Sequence, residues 1–132
     1  MKYVEIDKSN EPIVVYEFSS KDPTTQEFDA YIKDLTEDVQ NLRGAIMIND
    51  LTNAKYLSSE NRIKAGKVIE DNEEQVKQNI VGIVYVMPSI VLNMLLKGIF
   101  KIKKPPVEVK IVKTRAEAMQ WANSKLEVAA VA

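Results

Sequence analysis

Apolar and polar positions change period several times along the chain, and each change marks an element. Near the start, "KYVEI" sets Val4 and Ile6 against Tyr3 and Glu5, the two-residue alternation of a strand. "PIVVYEF" is rich in β-branched and aromatic residues and reads as a second strand. The intervening "DKSNEP" has turn chemistry, so the pair predicts an antiparallel hairpin. The period then lengthens. Thr24 and Glu27 have the spacing of a capping box, and Phe28, Tyr31, Ile32, Leu35, Val39 and Leu42 follow at steps of three and four, one apolar stripe on a helix that Gly44 ends. "AIMIN" is short and almost wholly apolar, as a strand covered on both faces should be.

After the loop "DLTNAKYL", Ser58 or Ser59 caps a second helix through "ENRIKAGKVIEDNEEQVKQ". Its stripe, Ile63, Val68 or Ile69, Asn72 and Val76, is less apolar, and Gly66 inside it costs roughly 1 kcal/mol relative to Ala. "IVGIVYVM" predicts another buried strand and "VEVKIVK" an alternating one. Thr114 and Glu117 repeat the capping spacing ahead of Ala118, Trp121, Ala122 and Leu126. The order is ββαβαβαβα. It predicts an α/β fold: a single mixed, mainly parallel sheet with an N-terminal hairpin, about four helices and right-handed crossovers. One domain is expected over residues 1–127, with 128–132 as a disordered tail.

The stretch from Ile80 to Phe100 carries Lys97 as its only charge and is long enough, at about 21 residues, to cross a bilayer. Pro88-Ser89 interrupts it, Val and Ile dominate its first part, and a span would separate the last strand and helix from their partners. A strand, a turn and a helix are therefore expected here. On a helix beginning at Ser89, Ser89, Asn93, Lys97 and Lys101 form a polar stripe opposite Val91, Leu92, Leu95 and Ile99. Met94 lies on one margin and Leu96 with Phe100 on the other, which widens the apolar arc to about 200°, beyond what one-sided packing needs. The margins are expected to meet a neighbouring helix, a second subunit, or an apolar ligand or surface.

Composition removes several functions. With no cysteine and no histidine, thiolate metal sites, disulfides and the commonest general base are excluded. A net charge of −1 gives no reason to expect nucleic-acid binding, and "MKYVEIDKSN" lacks the apolar run of a signal peptide, so a cytoplasmic location is the default. No Gly-rich phosphate loop and no calcium-loop pattern is present, so no cofactor or metal is expected.

Ligands of open α/β sheets gather at the carboxyl ends of the parallel strands. Two such ends are visible, Asn49-Asp50 and Met87-Pro88-Ser89, each leading to a helix N-terminus. Asp50, Thr52, Ser58, Ser59, Arg62 and Ser89 are the polar candidates for binding a ligand or partner, and Met94, Leu96 and Phe100 the apolar contacts. A serine hydrolase would need a base beside Ser58 or Ser59 that no spacing supplies, so no enzyme is expected.

"AIMINDLTNAKYLSSENR", "VGIVYVMPS" and "KTRAEAMQWANSKL" together give the chain a resemblance to the STAS superfamily, the fold of anti-anti-sigma factors and of sulfate-transporter cytoplasmic domains, and above all to its stand-alone SpoIIAA-like branch. The resemblance covers nearly the whole chain in element order and rests mostly on hydrophobic pattern. It implies a non-enzymatic regulatory module that recognises a partner protein or a second copy of itself. Where classical members carry a phosphorylated Asp-Ser-Ser-Gly segment, this chain reads Leu57-Ser58-Ser59-Glu60, and Glu60 would repel a phosphate beside it. The branch also includes proteins suspected of holding lipid-like ligands. That alternative, an apolar-ligand or membrane-surface module on the helix 89–101, suits the wide apolar arc and Lys97, Lys101, Lys103 and Lys104, as a peripheral contact and not a transmembrane one.

Overall fold

The structure, a computed structural model, describes residues 1–55, 58–90, 94 and 104–131. Five strands form one sheet in sequential order: β1 (Val4–Asn10), β2 (Ile13–Phe18), β3 (Ala45–Asp50), β4 (Ile80–Val86) and β5 (Glu108–Val112). β1 pairs antiparallel with β2, and the other neighbours are parallel. The predicted mixed sheet with its N-terminal hairpin is thus observed, with β1 running further than "KYVEI" suggested.

The helices whose bounds fall among the described residues are α1 (Thr25–Asn41), α2 (Ser59–Asp71), α3 (Glu73–Asn79) and α4 (Arg115–Val131). α1 begins at the predicted box: Thr24 Oγ1 accepts from Glu27 N–H at 3.1 Å and Glu27 Oε1 accepts from Thr24 N–H at 3.0 Å. Gly44, past the helix end, has φ +59°, a conformation that costs a side-chain-bearing residue strain. The second predicted helix is two. It breaks at Asn72, whose Nδ2 donates to Val68 O at 2.8 Å and whose backbone starts α3. Ile63, assigned to the buried stripe, is instead 69% exposed, because α2 turns Val68 and Ile69 inward. α4 runs through Val131, so residues 128–131 of the segment expected as a tail are helical; Ala129 and Ala130 have the highest helix propensity.

A sequential parallel order with right-handed crossovers puts the connecting helices on one face. Accordingly α1, α2 and α3 cover one side, and α4 covers the other. The first core layer joins Val14, Tyr16, Met47 and Ile83 of the sheet to Phe28, Tyr31, Leu35 and Val39 of α1 and to Val68 and Val76. The second joins Ile13, Val15, Ile46, Ile48, Val84 and Val86 to Ala118 and Ala122 of α4. The bulge between β3 and β4 sets Val81 and Gly82 toward the same side, where Gly82 lies under the ring of Trp121.

Ile80–Val86 is a strand, so the first third of the long apolar run belongs to the sheet. Among the described residues, no helix is long and apolar enough to cross a membrane. Ile90 and Met94 are helical and exposed, at 68% and 69%. Leu96 and Phe100, the other margin of the predicted helix, lie outside the described residues.

Candidate functional site

Strand alternation separates the polar residues that the sequence grouped. At the carboxyl end of β3, Asp50 turns toward α4 and Asn49 toward α1 and α2. Asp50 is buried and accepts from Thr52 N–H at 3.0 Å, from Thr52 Oγ1 at 2.5 Å and from Arg115 Nη1 at 2.8 Å. Burial pushes its carboxyl up, but Thr52 and the Arg115 guanidinium outweigh it and hold it below the usual carboxylate range. Asp50 therefore ties β3 to the start of α4, and Thr52 closes its turn.

Ser58 caps α2 by accepting from Asn61 N–H at 3.1 Å, and Ser59 Oγ accepts from Arg62 Nη2 at 3.1 Å. Ser89 is exposed beyond β4. Among the described residues, side-chain hydrogen bonds join two pairs of these candidates, Thr52 with Asp50 and Arg62 with Ser59.

Arg62 leads to a feature that the sequence did not reveal. A cavity of about 210 Å³ lies between the sheet, α1 and α2. Tyr3, Phe18, Phe28 and Tyr31 form one wall, with ring centroids 5.3–6.2 Å apart and mostly edge-to-face. Leu35, Met47, Ile83 and Met87 add aliphatic surface. Asn49, Asn61 and Arg62 are its polar amide and cationic groups, gathered where β3 ends and α2 begins. Burial pushes the Tyr85 hydroxyl up to about 12 and the Tyr31 hydroxyl higher still, so both stay neutral at physiological pH.

A groove of about 680 Å³ adjoins the cavity, and the two share Arg62, Gly66, Ile69, Ile83 and Tyr85. Lys67, Glu70, Lys104, Pro105 and Pro106 line its outer part. Gly66 stands on this shared wall. A Cβ built there meets no atom within 4 Å, so neither sterics nor backbone strain requires glycine, and its cost to α2 goes uncompensated by packing. What the missing side chain provides is open space between cavity and groove. An unexplained mid-helix glycine is the one signal of this in the sequence; Phe28 and Tyr31 read there as an ordinary helix stripe, and Tyr3, set there with Glu5 on the face opposite Val4 and Ile6, is instead buried.

Among the described residues, no group of three or more acidic side chains is placed to hold a metal ion. No family model matches the sequence, and no curated protein matches it. Among solved structures, the chain is similar to an uncharacterized protein of the DUF3478 family from Shewanella loihica PV-4, described as having a SpoIIAA-like fold. The TM-score is 0.65 at 12% identity, over 90% of this chain and 91% of the other. The likeness shows a SpoIIAA-like fold, the one the sequence resemblance implied.

Proposed function

We propose that this SpoIIAA-like domain is a non-catalytic module that binds an apolar small molecule in the cavity between α1, α2 and the sheet. The observation that carries the reading is the cavity itself: an aromatic and aliphatic space with a few polar groups at one end, at the carboxyl ends of the parallel strands. That is where open α/β sheets bind ligands, and it is the composition of ligand pockets generally. Its volume exceeds the roughly 150 Å³ of apolar space that suffices for benzene. The site differs from the helix 89–101 expected from the sequence, though both readings rest on apolar surface. Partner recognition through the Ser58–Ser59 segment has less support, since Ser58 caps α2 and Ser59 accepts from Arg62.

Titration calorimetry with 1-octanol tests the reading. One saturable site per chain is expected, and Gly66→Leu should abolish it while leaving the fold intact, because the added side chain enters open space and leucine is a better helix former than glycine. Absence of saturable binding in the unaltered protein would contradict the proposal.

A further inference from the structure

The cavity has one charged group among its described lining residues, Arg62. This arginine is unusual in its partners. Its Nη2 donates to Ser59 Oγ, but its Nε is buried and has no acceptor among the described residues, and no described carboxylate pairs with it. A buried donor left without an acceptor costs stability. The side chain lines both the cavity and the adjoining groove, so an anion bound by its guanidinium would sit at their junction.

We infer that the ligand of this cavity is a monocarboxylate, its head group bound by Arg62 and its apolar body among the aromatic rings; the inference rests on the apolar-ligand reading above. The charge count argues for a single negative charge. One guanidinium balances one anion, and the adjoining groove adds no net positive charge, with Lys67 and Lys104 set against Glu70, Asp71 and Glu73, so a phosphomonoester would leave an unbalanced charge beside an apolar wall. A carboxylate also matches the planar donor fork of arginine. Asn49 and Asn61 add uncharged amides at the same end. Scaling from the benzene-sized cavity, 210 Å³ holds on the order of eight to ten non-hydrogen atoms. A longer chain would continue past Gly66 into the groove.

The test compares octanoate, 1-octanol and octyl phosphate by titration calorimetry on the full chain, with Arg62→Gln and Arg62→Lys as variants. Octanoate should bind the unaltered protein at least tenfold more tightly than octanol, and more tightly than octyl phosphate. Arg62→Gln should remove the tenfold preference and leave octanol affinity within twofold, which also certifies that the variant is folded. Arg62→Lys, keeping charge without the fork, should fall between. Equal affinity for octanoate and octanol, or an octanoate preference that survives Arg62→Gln, overturns the head-group assignment while the apolar site stands. Tighter binding of octyl phosphate overturns the monoanion. If neither octanol nor octanoate binds, both this inference and the reading beneath it fall.

Discussion

Gly82→Ala probes how closely α4 packs on the sheet. A Cβ at this position would lie 2.6 Å from Trp121 Cη2, 3.1 Å from Trp121 Cζ3 and 3.4 Å from Glu108 O. Carbon atoms in contact prefer about 3.5–4.0 Å, so the indole must retreat by roughly 1 Å. It has little freedom to do so. Ala118 and Ala122, fully buried, hold the helix near the strands, and Lys125 lies over the indole ring while pairing with Glu108. Overpacking of this kind costs about 1–3 kcal/mol, against a gain of roughly 0.5–1 kcal/mol from replacing glycine in a strand. We expect a net loss of about 1–2 kcal/mol by urea unfolding, with an unchanged m-value. Trp121→Ala alone should cost about 3 kcal/mol, the lower end for a large aromatic because the ring is half-buried. In that background Gly82→Ala should become neutral or stabilising, giving a coupling of about 2 kcal/mol. Additive effects, or a Gly82→Ala variant as stable as the parent, would refute the contact.

Three further outcomes follow from other parts of the fold. Buried Asp38 accepts from the buried Tyr16 hydroxyl at 2.5 Å and from Lys8 at 2.6 Å, so Asp38→Ala should cost about 1–3 kcal/mol in denaturant unfolding, part of it recovered when Tyr16→Phe is added. Asp50 is held below its unfolded pKa, so its contribution is present above about pH 4 and is lost as pH falls through the lowered folded value. Arg115→Met should therefore lower stability by about 1–2 kcal/mol at pH 7, with the deficit shrinking below pH 4 in acid-unfolding curves; a deficit that is the same at pH 3 would contradict the pairing. Gly66→Ala should raise the ligand-free unfolding midpoint, a gain of roughly 1 kcal/mol, and a loss would mean that the glycine is structurally required.

Local signals in the sequence predicted most of the architecture. Capping spacings at Thr24 and Thr114 located two helix starts, Thr114 Oγ1 accepting from Glu117 N–H at 3.2 Å, and Gly44 marked a helix end by its positive φ. The break at Asn72 carried no proline or glycine to announce it, only an asparagine in an acidic run. Strand alternation sends Asp50 to the α4 side and Asn49 to the cavity side, which nearness along the chain does not show. Arg62 was a candidate for its charge near a helix start, and it does line the cavity. The cavity was not legible, since its walls come from α1, α2 and four strand or loop segments whose residues individually look like core. Only the packed arrangement shows that they leave space.

The cavity reading is tested most directly by intermolecular nuclear Overhauser effects from bound 1-octanol to protein carrying ¹³C-labelled methionine methyls. Of the five methionines, Met47 and Met87 line the cavity, Met119 packs on the α4 side, and Met1 and Met94 are exposed. The account predicts cross-peaks from octanol methylene protons to the Met47 and Met87 methyls and none to Met119. Cross-peaks confined to Met94 or Met119, or absent from Met47 and Met87 at saturating octanol, would contradict it.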